Sequence, residues 1–167
     1  MALTSKVTLR INATQTGSND LGNPQFPMAF SQIDNMLDGT AAGQADLLFS
    51  DQRTITASSN EDLDLSGSLT DVYGTTLAFV KVKVIAIYAA SGNTNNVQVG
   101  PAASNGFLGP FADASDQIDI APGGTMLLTA PSAGWTVTAS TGDLLNIANS
   151  GAGTGVTYDI VIIGTSA

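Results

Sequence analysis

The stretch LAFVKVKVIAIYAA, residues 77–90, decides the fold. Val80, Val82, Val84, Ala86 and Tyr88 alternate with Phe79, Lys81, Lys83, Ile85 and Ile87, which is the two-residue period of a β-strand. On that parity the first set makes one face that is apolar throughout. The second set is charged at its start and apolar from Ile85 onward. A strand that begins half-exposed and ends covered on both sides belongs in the interior of a sheet.

The same alternation recurs on either side. Lys6–Ile11 alternates, with Val7, Leu9 and Ile11 on one face. TQTGSNDLGNP (14–24) reads as a loop of turn formers. FPMAFSQIDNML (26–37) reads as a strand with its proline near the start, where a missing N–H matters least. DGTAAGQA (38–45) is a further turn. LLFSDQRTITAS (47–58) is a strand with Arg53 in mid-run, and Leu63 and Leu65 share one face of a short strand. Beyond residue 90, strand signals return every 8–12 residues: NNVQVG (95–100), NGFLG (105–109), SDQIDIA (115–121), GTMLLTA (124–130), GWTVTAS (134–140), DLLNIAN (143–149) and GVTYDIVIIG (155–164). Pro-Gly-Gly (122–124) and similar clusters punctuate them. The best helical candidate, 34–48, is interrupted by Gly39 and Gly43. The pattern predicts an all-β chain. Residues 46–167 form a jelly-roll-like antiparallel β-sandwich, and residues 1–45 form an N-terminal arm or edge extension.

Composition narrows the function. Charged residues make up 11% of the 167 residues, against about 25% in an ordinary soluble domain. The polar surface must come from Ser, Thr, Asn, Gln and Gly, which lose water easily and suit packing against protein. The net charge is −9, and the five cations are Lys6, Arg10, Arg53, Lys81 and Lys83, with none from Val84 onward. Nucleic-acid binding needs clustered cations to displace counterions, so it is excluded as an expectation, as is an anionic membrane surface. The longest apolar runs, VIAIYAA (84–90) and IVII (160–163), are too short to span a bilayer. The opening MALTSKVTLRINATQTG has no apolar core of a signal peptide. In its absence the Asn12-Ala13-Thr14 sequon is a chance match.

No histidine and no cysteine are present. The Ser–His and Cys–His arrangements, thiolate chemistry and His- or Cys-ligated metals are therefore unavailable. A Ser–Lys pair would have to use Lys81 or Lys83, but both alternate with valines and read as facing solvent, a partner or a strand edge. Glu61-Asp62-Leu63-Asp64 is the densest acidic cluster, yet aromatics are only 6% and Trp135 is the sole tryptophan, which is poor provision for a sugar groove. Trp135, on one face with Val137, reads as core or interface. Asp113, Asp116 and Asp119 lack the spacing of an EF-hand and read as solvated acids that guard an edge. GPAASNGFLGPF (100–111) and NSGAGTG (149–155) have no phosphate-loop lysine and read as turns. The expectation is no enzyme, no cofactor and no metal.

The string EDLDLSGSLTDVYGTTLAFVKVKVIAIYAASGNTNNVQVG, followed by APGGTMLLTAP, GWTVTAS, DLLNIANSGAG and TYDIVIIGTSA, resembles a group of small virion structural proteins of tailed bacteriophages. The likeness runs from about Gly43 to Ala167; the first 40 or so residues match weakly. The resemblance implies a capsid cement or decoration protein on the capsid exterior, a homotrimer bound to the major capsid protein. It transfers no catalytic residue. On that reading the amides of Asn93, Asn95 and Asn96 in GNTNN (92–96) either cap a turn or bond a neighbour. Trp135 is an interface candidate, and Lys6 and Arg10 on the arm reach toward an acidic capsid surface. Two rival expectations are a head–tail adaptor or tail-fibre attachment module, and a lectin-like receptor-binding jelly roll.

Overall fold

The computed structural model describes residues 2–167. The first two strands, β1 (Ser5–Thr16) and β2 (Gln25–Met36), pair antiparallel over twelve rungs from Ser5↔Met36 to Thr16↔Gln25. Residues 14–16, expected in a loop, extend β1. The reversal is confined to residues 17–24, where Gly17 N donates to Pro24 O and Asn19 and Gly22 exchange backbone hydrogen bonds.

The remaining strands are β3 (Leu47–Ile55), β4 (Asn60–Asp64), β5 (Lys81–Ala89), β6 (Val97–Pro101), β7 (Ile118–Ile120), β8 (Thr125–Thr129), β9 (Trp135–Thr136), β10 (Leu144–Asn149) and β11 (Val156–Thr165). They make two antiparallel sheets, ordered β4-β10-β6-β7 and β3-β11-β5-β8, with the short β9 also on β5. The pairing is nested. β3 joins β11, β4 joins β10, β5 joins β8 and β6 joins β7, so the first strand of this series meets the last and the middle strands meet each other. The fold is the all-β antiparallel sandwich expected from the sequence. No residue among those described is helical.

The core lies between the sheets. Phe49, Ile85, Ile87, Tyr158, Ile160 and Ile162 from one sheet meet Leu63, Val97, Val99, Leu145 and Ile147 from the other. Burying a side chain of this size contributes about 1.5–3 kcal/mol, so this layer is the main source of stability.

Strand β5 is interior, between β11 and β8, but its faces are not those read from the alternation. Register against β11 passes from Ile163↔Val84 to Gly164↔Val82, leaving Lys83 as the extra residue of a bulge. The bulge exchanges the faces. Val82 joins the inter-sheet core with Ile85, Ile87 and Ala89, while Val84 lies on the other side of the sheet. The backbone at Gly164 accommodates it: a Cβ there would collide with the Lys81 carbonyl oxygen and come within 2.7 Å of the Phe79 ring.

Lys83 does not face solvent or an edge. It is 1% exposed, and its Nζ donates to Ala41 O at 2.7 Å. The outer side of the β3-β11-β5-β8 sheet is covered at this end by the base of the hairpin and the connector that follows it, so the bulged lysine is roofed over. Met36, Ala45, Val84 and Ile163 form the small second core there, with Leu3, Val7, Leu48, Leu127 and Val161 against it. Burial, with the nearby Lys81 charge, lowers the Lys83 pKa from its ordinary value.

NGFLG (105–109) is not a strand. Gly106 makes only an isolated bridge to Leu144, and Phe107, fully buried, plugs the core from the connection between β6 and β7.

Candidate interaction surface

The hairpin's two faces follow from its register, because directly paired residues share a side of the ribbon. One face carries Ser5, Val7, Leu9, Ile11, Ala13 and Gln15 opposite Met36, Asp34, Gln32, Phe30, Met28 and Phe26. The other carries Lys6, Thr8, Arg10, Asn12, Thr14 and Thr16 opposite Asn35, Ile33, Ser31, Ala29, Pro27 and Gln25. The first face carries most of the large apolar side chains, with Asp34 near its base, and the second carries both cations together with Ile33.

The apolar stripe is only partly used inside the chain. Its base, Val7 and Met36, packs into the second core. From Thr8 to Ile33 every residue is exposed. The stripe continues outward bare: Leu9 is 42% exposed, Ile11 48%, Phe30 50%, Met28 43% and Phe26 68%. At about 3.3 Å per residue, the exposed part of β1 reaches about 30 Å. An isolated two-stranded ribbon is marginal in water, and this one leaves its apolar side wet.

Lys6 and Arg10 lie exposed on the polar side. Among the described residues the salt bridges are those of Arg53, to Asp51 and Glu61. Arg10 contributes only a hydrogen bond from Nε to Asn12 Oδ1 at 3.4 Å.

The asparagines of the GNTNN loop work inside the chain. Asn93 Nδ2 donates to Thr157 O, and its Oδ1 accepts from Thr157 N, both at 2.9 Å, so the side chain imitates a strand rung. Asn95 Nδ2 donates to Asn149 Oδ1 at 3.0 Å and to Thr154 O at 3.2 Å. The backbone of Asn96 bonds Ser150 in both directions. Asn149, which the sequence reading passed over, is the hub: it is buried, and its Nδ2 also reaches Thr154 O and Thr56 O. Trp135 is partly buried against the main core, paired with Val82.

A polar cleft of about 320 Å³ opens between the edge strands β3 and β4, lined by Asp51, Arg53, Asp62, Ser68 and Asp71 over Phe49 and Leu63. Its charges are already engaged. Arg53 Nε donates to Glu61 Oε2 at 2.7 Å and NH1 to Asp51 Oδ2 at 2.9 Å. These bonds, the one to Glu61 foremost, raise the Arg53 pKa further above its ordinary value. The acids of residues 113–119 are also committed locally. Asp113 Oδ1 accepts from Ser115 N and Oγ, which lowers its pKa; Asp116 Oδ2 accepts from Ala112 N and Asp113 N; Asp119 Oδ1 accepts from Gln98 Nε2. Among the described residues no three acids gather as a metal cluster.

A second cleft, of about 480 Å³ and more apolar, lies beside the hairpin base, lined by Leu3, Leu47, Leu48, Leu77, Val72 and Tyr73. Val72 and Tyr73 are about three-quarters exposed, at 74% and 73%. The Asp71 carboxylate holds their turn rigid by accepting from the Tyr73 and Thr75 N–H groups.

The open features of the molecule are therefore an amphipathic arm and an apolar cleft near its root. No family model matches this chain, and no curated protein matches it.

Proposed function

We propose that this protein is a structural component of a tailed-phage particle, a cement or decoration protein that binds the exterior of the capsid and acts by protein–protein contact rather than by catalysis. The observation that carries the reading is the projecting hairpin, whose apolar stripe runs from Val7 and Met36 out to Phe26 while only its base is buried by the body. A ribbon of that kind is an arm for other protein. The resemblance of residues 43–167 to small virion proteins, read from the sequence alone, points the same way. The nested strand pairing also supports a jelly-roll-like reading of the sandwich, an architecture used in capsid and lectin domains. The partners on this reading are the major capsid protein and other copies of the chain in a homotrimer, and Lys6 and Arg10 are the cations available to an acidic shell.

The test is the composition and density map of purified particles. The chain should be present at a copy number comparable to the shell protein, with its sandwich on the outer surface. A copy number limited to one vertex or to the tail would replace this reading with a head–tail adaptor or fibre module. Absence from particles, together with glycan-dependent binding by the purified chain, would replace it with a lectin-like role.

A further inference from the structure

We infer that the bare outer half of the hairpin's apolar face is an interface between copies of this chain, packed against the same face of another copy. This goes beyond the virion reading and does not depend on it.

Val7 and Met36 belong to the same stripe as Leu9, Ile11, Met28 and Phe30, and they are covered by the body. The outer rungs continue that stripe, and none of the described residues covers them.

The hairpin, residues 5–36, holds two cations, Lys6 and Arg10, and two acids, Asp20 and Asp34, so the whole net charge of −9 belongs to the rest of the molecule. Two bodies repel each other; two hairpins do not. The outer apolar face itself, made of Leu9, Ile11, Ala13, Phe26, Met28 and Phe30 with Gln15 and Gln32, has no charged side chain. Laying it against its own copy strands no ion away from water and leaves Lys6 and Arg10 facing outward.

At the exposures given above, and with about 150–250 Å² for a large apolar side chain, one face offers about 500 Å². A pair of faces buries about 1,000 Å², the lower bound for a specific interface, before the fully exposed Leu21 at the turn is included. The contact is between like surfaces and so closes as a two-fold pair, separate from the three-fold contact of a homotrimer.

The experiment is sedimentation of the full chain across a concentration series, with paired variants. The wild type should sediment as a dimer or a larger closed oligomer. Ile11→Ser with Phe30→Ser should weaken association at least about tenfold, whereas Asn12→Ser with Ala29→Ser, on the opposite face, should leave it unchanged. A second measurement does not depend on those variants keeping the ribbon folded. Because the chain lacks cysteine, Ala13→Cys places a single thiol on the apolar face and Asn12→Cys a single thiol on the polar face. A short bis-maleimide should join copies through position 13 and not through position 12. A wild type that stays monomeric at every concentration overturns the inference, as does equal cross-linking from both positions. Association of the monomer only with purified shells or lipid vesicles through Ile11 and Phe30 would also overturn it, by assigning the face to another occupant. Loss of self-association with the chain still found in particles would leave the virion reading standing.

Discussion

The hydroxyl of Tyr158, on one sheet, donates to Oε1 of Glu61, on the other, across 2.8 Å. Glu61 receives Arg53 on its second oxygen, so one carboxylate ties β3, β4 and β11 together where the sandwich would otherwise open. Tyr158→Phe removes a hydrogen bond to a charged acceptor and should cost about 1.5–3 kcal/mol. Glu61→Ala strands both the Tyr158 hydroxyl and one side of Arg53. It should cost about 2–3 kcal/mol, short of the full penalty for breaking a buried pair, since the Glu61 side chain keeps 22% exposure. Urea unfolding midpoints check both values.

The same pair sets a response to alkali. Burial foremost, then the bond to Glu61, pushes the Tyr158 pKa far above the ordinary 10.0. In the unfolded chain the phenol ionises near that ordinary value; in the folded chain it stays protonated. The native state therefore holds the extra proton, and stability falls as pH rises above 10.0. Tyr158→Phe should flatten that decline, as read from unfolding free energies measured on both sides of the phenol's ordinary pKa.

Lys83 behaves in the opposite sense. Its folded pKa is lowered by burial from 10.5, so the unfolded chain holds more protons just below that value and stability rises with pH through the window. Lys83→Met should abolish the rise. At neutral pH it should change global stability by less than about 1 kcal/mol, because the lost hydrogen bond is offset by relief of a buried charge. The connector should loosen, and amide exchange near residues 41–44 should accelerate.

At Asn149 the expectation is a larger loss. Asn149→Leu removes the amide that joins Thr56, Asn95, Gly151 and Thr154. Polar groups left buried without partners cost about 1–3 kcal/mol each, so the net loss should be about 2–4 kcal/mol, with the denaturant m-value unchanged.

Gly164→Ala tests the bulge. The added methyl meets the Lys81 carbonyl and the Phe79 ring, and overpacking of this kind costs about 1–3 kcal/mol. If the bulge moves to relieve the clash, Lys83 loses its place under the connector. Faster exchange in the connector should then accompany the lower unfolding midpoint.

Much of this architecture was legible in the sequence, because alternation and turn residues are local signals. The strands of the hairpin, β3, β7, β8, β10 and β11 stand close to where the alternation puts them. The parity of LAFVKVKVIAIYAA misled because a bulge leaves no local mark. Gly164, which lies far along the chain and makes room for it, becomes informative only once β11 is known to pair with β5. Lys83 misled for the same reason, since its roof comes from residues about forty positions earlier in sequence. The loop asparagines read as turn caps or as contacts for a neighbour because the partners of Asn93 and Asn95, namely Asn149, Thr154 and Thr157, are distant in sequence. The alternation in Lys6–Ile11 was visible from the start. That the stripe leaves the body uncovered was not, because exposure belongs to the assembled fold.

The nested pairing has a consequence for synthesis on the ribosome. Phe49 waits for Ile162, its partner more than a hundred residues later, and at about 5–20 residues per second that delay is about 5–20 s. For all that time the edge of β3 is unzipped, whereas the hairpin strands, adjacent in sequence, are free to pair as soon as both have emerged. Nascent chains on one message thus display sticky ribbons before either sheet can shut, and slowing initiation to space the ribosomes should raise the yield of correctly folded protein.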